Sequence, residues 1–559
     1  MHLAAVAALL SFEAAVAQAD QSSTSVPASE SSPIQSEAPP ADASGAVVVI
    51  PGGSAPIQGP FDAPAGPPAY EPALPQGTPP ELVEADPAQP VATLSEALRR
   101  AYWTNPELLA ERARLRSIDF RLPQARAQYG PQLRYSASYG YQHNRYEQPI
   151  GGTVQRQGWA STASAVLAQP LFAFGRLRAN EDAARAQIAF QRAALQSAEQ
   201  QTLLETIAAY AGVLRGRTGL SIALENAELL TQQFSDTRTR LELGESTATD
   251  FRQVETRLEL ARAQLLTAQG QEVSSDALFL QSVGAPAGAL APPDPLQLPV
   301  QTLEDAYAYA QSRNPVLASA YARERISRAE LEAARADLLP RVELQGQVNH
   351  GTSSIAGPEL SQTELRGAIT ISGVLDAGSR QGRIGELAAV NDADWRLIDA
   401  ALRENRAELA DAWSQWQAQT AAIVQLDIAS QAAEQALEGA LLQERAGLRT
   451  TLEILELAQD LLQVRTSLNT AAADAYIAQA RVLAAMGVLS HEHLLPDAPG
   501  YDEHEHFEQV DGRADIPLLT PAVRALDSLT TPKLADRPVR DPTAPLAVDR
   551  SATEQQSGF

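Results

Sequence analysis

The chain contains no cysteine among its 559 residues. Disulfides, thiolate metal sites, cysteine nucleophiles and an amino-terminal lipid-modified cysteine are thereby excluded. Complete absence suits an oxidising compartment, where a stray thiol is a liability. Long hydrophobic runs are missing too. No stretch of about 18 apolar residues occurs, which argues against a transmembrane helix but not against a closed β-barrel, which spans a bilayer without one. Basic excess is also lacking. A formal net charge of -25 leaves no electrostatic footprint for nucleic acid. Catalytic signatures are equally scarce: there is no phosphate-binding glycine loop, no HExxH and no supported Ser/His/Asp arrangement. Neither an enzyme nor a cofactor is expected.

What is present is helix of unusual length. Arg380 to Gln443 and Leu452 to Met486 are rich in Ala, Leu, Gln, Glu and Arg, free of proline, and joined across Gly447. At 1.5 Å per residue the first would run about 100 Å, so such a rod needs a lateral partner. A second copy lies upstream, from Arg176 to Val283 with its turn at Gly244. This composition points to an elongated helical assembly rather than several compact cores. Gly212, Gly216 and Gly219 interrupt the first long helix. Each costs up to about 1 kcal/mol relative to Ala and marks a packing site or a bend.

The rest of the chain falls into order around these hairpins. Residues 1–19 read as a secretory signal, from the apolar run Leu3 to Leu10 and the small residues Ala15-Val16-Ala17 or Ala17-Gln18-Ala19, although the positive flank of such signals is missing. Residues 20–91 are a Pro/Ala/Ser-rich disordered segment. A first repeat spans 92–284, a linker 285–301 and a second repeat 302–489. An acidic, largely disordered tail occupies 490–559. Thr93-Leu94-Ser95-Glu96 has capping-box form, and the helix it opens is interrupted at Asn105-Pro106, where a new one runs to about Gln128. The same grammar recurs at Thr302 to Ala306 and at Asn314-Pro315, 209 residues on, and Pro131 returns as Pro340. This is an internal duplication.

After each of these prolines the period changes to two. In Gln132 to His143, Leu133, Tyr135, Ala137, Tyr139 and Tyr141 oppose Gln132, Arg134, Ser136, Ser138 and Gln142; in the second copy Val342, Leu344 and Val348 oppose Arg341, Glu343, Gln345, Gln347 and Asn349. Second strands follow at Trp159 to Gln169 and Leu365 to Val374. Strands of about ten residues with one apolar face fit a transmembrane barrel, and equally a sheet packed on a soluble core. The context of four strands and some two hundred residues of unanchored helix favours the barrel. Tyr135, Tyr139 and Tyr141 then read either as an interfacial girdle or as plain lipid-facing packing. His491, His493, His504 and His506, interleaved with Glu492, Glu503 and Glu505, could ligate a divalent metal; a flexible acidic tail is the simpler reading.

Together these marks, the Asn-Pro breaks, the proline entries into strands, the exits Pro170-Leu171-Phe172 to Gly175-Arg176 and Asp376 to Arg380, and the glycine turns, resemble the TolC-like outer membrane efflux proteins of Gram-negative bacteria. The likeness runs from about Thr93 to Leu489. It implies a mostly α protein with a transmembrane β-barrel: a homotrimer whose twelve strands close in the outer membrane lipid and whose helices form a periplasmic α-barrel. It further implies a passive duct for multidrug efflux or type I protein secretion, served by a periplasmic adaptor and an inner-membrane ABC or proton-driven transporter. Matched onto the family's periplasmic gate, Glu453 and Glu456 stand where family members carry constricting aspartates. Arg449 and, in the first copy, Thr249 and Asp250 match positions that help close it. Glutamate for aspartate is a departure from the pattern. The plain alternative for Glu453 and Glu456 is two solvated helix carboxylates, and for the whole chain a soluble periplasmic coiled-coil scaffold or adaptor.

Overall fold

A computed structural model describes residues 89–148, 152–355, 360–496 and 498–528. The expected signal, and all but the end of the segment 20–91, lie outside the described residues. The first repeat comprises α1 (Leu94–Thr104), α2 (Pro106–Asp119), α3 (Arg121–Ala127), β1 (Gln132–Gln148), β2 (Gly152–Phe172), α4 (Arg176–Glu242) and α5 (Ala248–Val283). The second comprises α6 (Leu303–Arg313), α7 (Pro315–Ala336), β3 (Arg341–Ser353), β4 (Leu360–Ser372), α8 (Ser379–Arg445) and α9 (Thr451–Ala485). Short helices α10 (His491–Leu494), α11 (Glu505–Asp511) and α12 (Leu519–Ser528) follow.

Local chemistry explains the boundaries. Thr93 and Thr302 cap α1 and α6. Asn105 and Asn314 each end one helix and open the next, the side-chain oxygen accepting from two N–H groups beyond the proline. One helix was expected from Pro106 to about Gln128, but the chain breaks at Phe120. Pro123 has no N–H to donate to the Asp119 carbonyl and its ring crowds that group. At the matching place in the second repeat stands Glu332, and α7 runs unbroken. Helices α4 and α8 are each 67 residues long. Gly216 marks a packing site: a Cβ there would come within 2.8 Å of the Ser275 hydroxyl on α5. Where both hairpins meet α1 and α6, the principal core gathers Leu203, Ile207, Tyr210, Phe279, Leu409 and Leu483.

The four strands form one antiparallel meander, β1-β2-β3-β4. They outrun the expected stretches because hairpin hydrogen bonding continues beyond the apolar band into polar sequence with no alternation to reveal it. The register pairs Tyr135 with Ala165, Ala165 with Val348 and Val348 with Leu365. The apolar residues of all four strands therefore share one face. That face is bare: Tyr135 and Leu365 are each 81% exposed and Ile371 70%. A sheet packed on a soluble core would bury these side chains; here no described part of the chain covers them. Tyr139 stacks on Trp159 at 5.0 Å and Tyr141 meets the same ring edge-on at 5.4 Å. This aromatic cluster lies just below the first polar row, as in a girdle. No described helix is long and apolar enough to cross a membrane.

Residues 490–528 differ from the disordered tail expected of them. They fold back on the first repeat, burying Leu495, Val510 and Val523. The four histidines are dispersed. His491 packs on Tyr102 with ring centres 4.3 Å apart, His493 contacts the Gln297 carbonyl, His504 contacts Arg192, and His506 pairs with buried Asp119 at 2.7 Å. No group of three metal-ligating side chains occurs among the described residues.

Candidate functional site: the tips of the helical hairpins

Both hairpins turn by the same device. Gly244 and Gly447 adopt φ of +79° and +73°, which a side chain would resist. The N–H groups of Glu245 and Leu448 donate back to the carbonyls of Arg240 and Gln443 at 2.8 and 2.9 Å. These are Schellman closures. The returning helices then open on matching capping boxes, Thr247 with Asp250 and Thr450 with Glu453.

The expected site residues divide between these two tips. Ile454, Leu455 and Ala458 are buried between the hairpins, which leaves Glu453 and Glu456 together on the exposed face of α9. The Glu453 carboxylate accepts from the Thr450 N–H at 3.0 Å and its hydroxyl at 3.3 Å. Those bonds, the backbone one foremost, with the Arg449 guanidinium nearby, hold the Glu453 carboxyl below its ordinary value. Arg449 itself donates to the Gln443 side chain at 2.7 Å. Asp250 is half-buried at the start of α5, with Thr249 exposed beside it. Among the described residues no hydrogen bond or ion pair joins Arg449, Glu453 or Glu456 to Thr249 or Asp250 within one chain.

One pair escaped the sequence reading. Arg240, at the end of α4, reaches across to Glu444, at the end of α8, at 3.1 Å, and the Thr451 hydroxyl donates to the same carboxylate oxygen at 3.2 Å. The Glu444 side chain is only 4% exposed. It follows buried Leu437 and Ala440 along one helical seam. A carboxylate at an apolar seam position was the signal available. Farther from the tip, Arg465 on α9 spans Glu225 on α4 and Glu434 on α8 at 2.7 and 2.9 Å. The two hairpins are thus fastened by polar contacts beside their apolar seams.

Comparison with known proteins agrees with this plan. A sequence model described as "Outer membrane efflux protein" matches residues 97–285, nearly the whole first repeat. The outer membrane efflux protein BepC of Brucella suis is 29% identical over 421 residues, covering 75% of this chain and 90% of BepC. The chain is similar to the outer membrane efflux proteins, through this model over its first repeat and through BepC over three quarters of its length. The likeness is to TolC-like outer membrane channels, a non-enzymatic family. The efflux-family likeness extends to the alkaline protease secretion protein AprF of Pseudomonas aeruginosa, 27% identical over 383 residues, 64% of this chain and 77% of AprF. In fold, the CmeC outer membrane channel of Campylobacter jejuni superposes with a TM-score of 0.63 at 13% identity, over 75% of this chain and 89% of that one.

Proposed function

We propose that three copies of this chain close a twelve-stranded barrel in the outer membrane lipid and a helical tunnel beneath it, and that cargo leaves through them without chemistry. The observation that carries this reading is a bare, uncharged apolar face on an open sheet. Outer edges of β1 and β4 are unpaired among the described residues, and the two strands run in opposite senses, so β4 of one copy meets β1 of the next antiparallel. Four strands cannot close a barrel; twelve leave no free edge.

At the tips, three-fold symmetry makes Glu453 and Glu456 two stacked acidic rings. Arg449 finds its closing partners, Thr249 and Asp250, on a neighbouring copy. The Arg240–Glu444 pair holds the two hairpins of each copy together and so sets the width of those rings. A periplasmic adaptor and an inner-membrane ABC or proton-driven transporter dock at this end and drive either multidrug efflux or type I protein secretion. The relatives carry both descriptions, efflux for BepC and protease secretion for AprF.

Fractionation and single-channel recording test this together. The protein is expected to require detergent for extraction and to run as a trimer; release by salt or carbonate alone would favour a soluble scaffold. In planar bilayers, Glu453→Gln with Glu456→Gln is expected to weaken cation selectivity, because carboxylate rings favour cations. Unchanged selectivity would remove both residues from the gate.

A further inference from the structure

The inner face of the sheet has a charge opposite to that of the chain. Its polar rows carry Arg134, Arg156, Arg341 and Arg366 against Glu343 and Glu364, four arginines to two glutamates, in a protein of net charge -25. Two of these arginines share one register row. Arg134 pairs with Val166, Val166 with Gln347, and Gln347 with Arg366. Arg341 is engaged by Asp337 at 3.3 Å. Arg134 and Arg366 are solvent-exposed and have no ion-pair partner among the described residues.

We propose that Arg134 and Arg366 form a basic band inside the closed barrel that engages carboxylate or phosphate groups of multivalent anions in transit. This rests on the trimeric reading above. Symmetry turns each arginine into a three-fold ring, and strand tilt separates the two rings by about 10 Å along the pore. Arg134 lies on one edge strand and Arg366 on the other, so barrel closure brings arginines of adjacent copies toward each other. Six guanidinium groups in a narrow lumen focus a positive potential, and rings of arginine are how pores favour anions and phosphate. The guanidinium fork also fits both oxyanions bidentately. The conduit thus presents negative charge at its tip and positive charge within its barrel.

Trimers in planar bilayers at low salt, where screening is weak, provide the test. Citrate and tripolyphosphate are added from the barrel side as carboxylate and phosphate probes. Concentration-dependent block is expected, with the half-blocking concentration raised about tenfold or more in Arg134→Gln/Arg366→Gln, the reversal potential moving toward cations, and block retained in Arg134→Lys/Arg366→Lys. Block by one probe alone identifies which oxyanion the band prefers. Equal block and equal reversal potential in the wild type and the glutamine variant would overturn the basic band while leaving the barrel intact. Absence of pores in the wild type would overturn both.

Discussion

The two repeats solve the same joint differently. In the second, where β4 gives way to α8, Asp376 caps the helix from within its own loop, accepting from the N–H groups of Gly378 and Arg380 at 3.1 and 3.3 Å. At the matching place in the first repeat stands Ala173, which has no carboxylate to offer. Asp527, some 350 residues away on α12, supplies it, accepting from Ala173, Gly175 and Arg178 at 2.9, 3.0 and 3.2 Å. The difference spreads into the neighbouring helices. The first repeat gathers Glu181 with Arg126, Arg185 and Arg524 at 3.1, 2.8 and 3.1 Å, and the Tyr129 hydroxyl at 3.2 Å. Burial foremost, then the Glu181 charge, pushes the Tyr129 phenol up. At the matching positions the second repeat has Ile384, Arg335, Ala388 and Leu338, and Ile384 packs on Leu331 and Leu387. A duplicated joint can thus be completed in cis by its own loop or in trans by a distant segment, and the trans solution makes the first repeat dependent on the C-terminal segment.

The largest effect should come from the charge cluster. Glu181→Ala removes the buried carboxylate shared by Arg126, Arg185 and Arg524 and leaves Arg126 only the more exposed Asp511 and Asp515; removing one member of a buried pair typically costs about 3–5 kcal/mol. Chemical denaturation should show a loss of that order, and a loss near zero would mean the first repeat does not depend on its ionic network. Next comes the cap exchange. Asp527→Ala strands three N–H groups, two of them on buried residues, at a cost of about 2–3 kcal/mol. Asp376→Ala removes a more exposed cap worth about 1 kcal/mol. Hydrogen exchange should quicken at residues 173–180 in the former and 378–384 in the latter. Adding Ala173→Asp to Asp527→Ala is expected to restore part of the protection; no recovery would break the equivalence of the two caps.

The smallest effect concerns the tip. Because the folded Glu453 carboxyl lies below its ordinary value, its capping contribution is complete above the usual glutamate range and is lost as pH falls through the depressed value. Protection factors at residues 451–454, exchange rates taken relative to the intrinsic rate at each pH, should therefore fall as pH drops from neutral through the usual glutamate range and below in the wild type and change less in Glu453→Gln. Equal pH profiles would free Glu453 from its capping role.

The long helices, the Asn-Pro joints, the strand faces and the glycine turns were legible because each is written in local chemistry: a period, a cap, a missing N–H or a positive φ. Thr450 and Glu453 illustrate the limit of such reading. Their spacing marks a helix start, and the resemblance makes the same carboxylate a gate residue; only the folded tip shows that it is already bonded to Thr450. Arg240–Glu444 and Asp527 were still less legible, since each joins residues that lie far apart in sequence and match no repeat.

By itself the sequence determined the duplication, the paired long helical hairpins with their glycine turns and the alternation of the strands, since these follow from periodicities of 3.6 and 2 and from backbone preferences that act within a few residues. The tertiary structure alone decided that the apolar faces of four strands align into one uncovered surface, that Arg134 and Arg366 share a row, and that residues 490–528 belong to the first repeat. Those outcomes depend on register and on pairs of charges brought together by folding, and neither has a local signature to read.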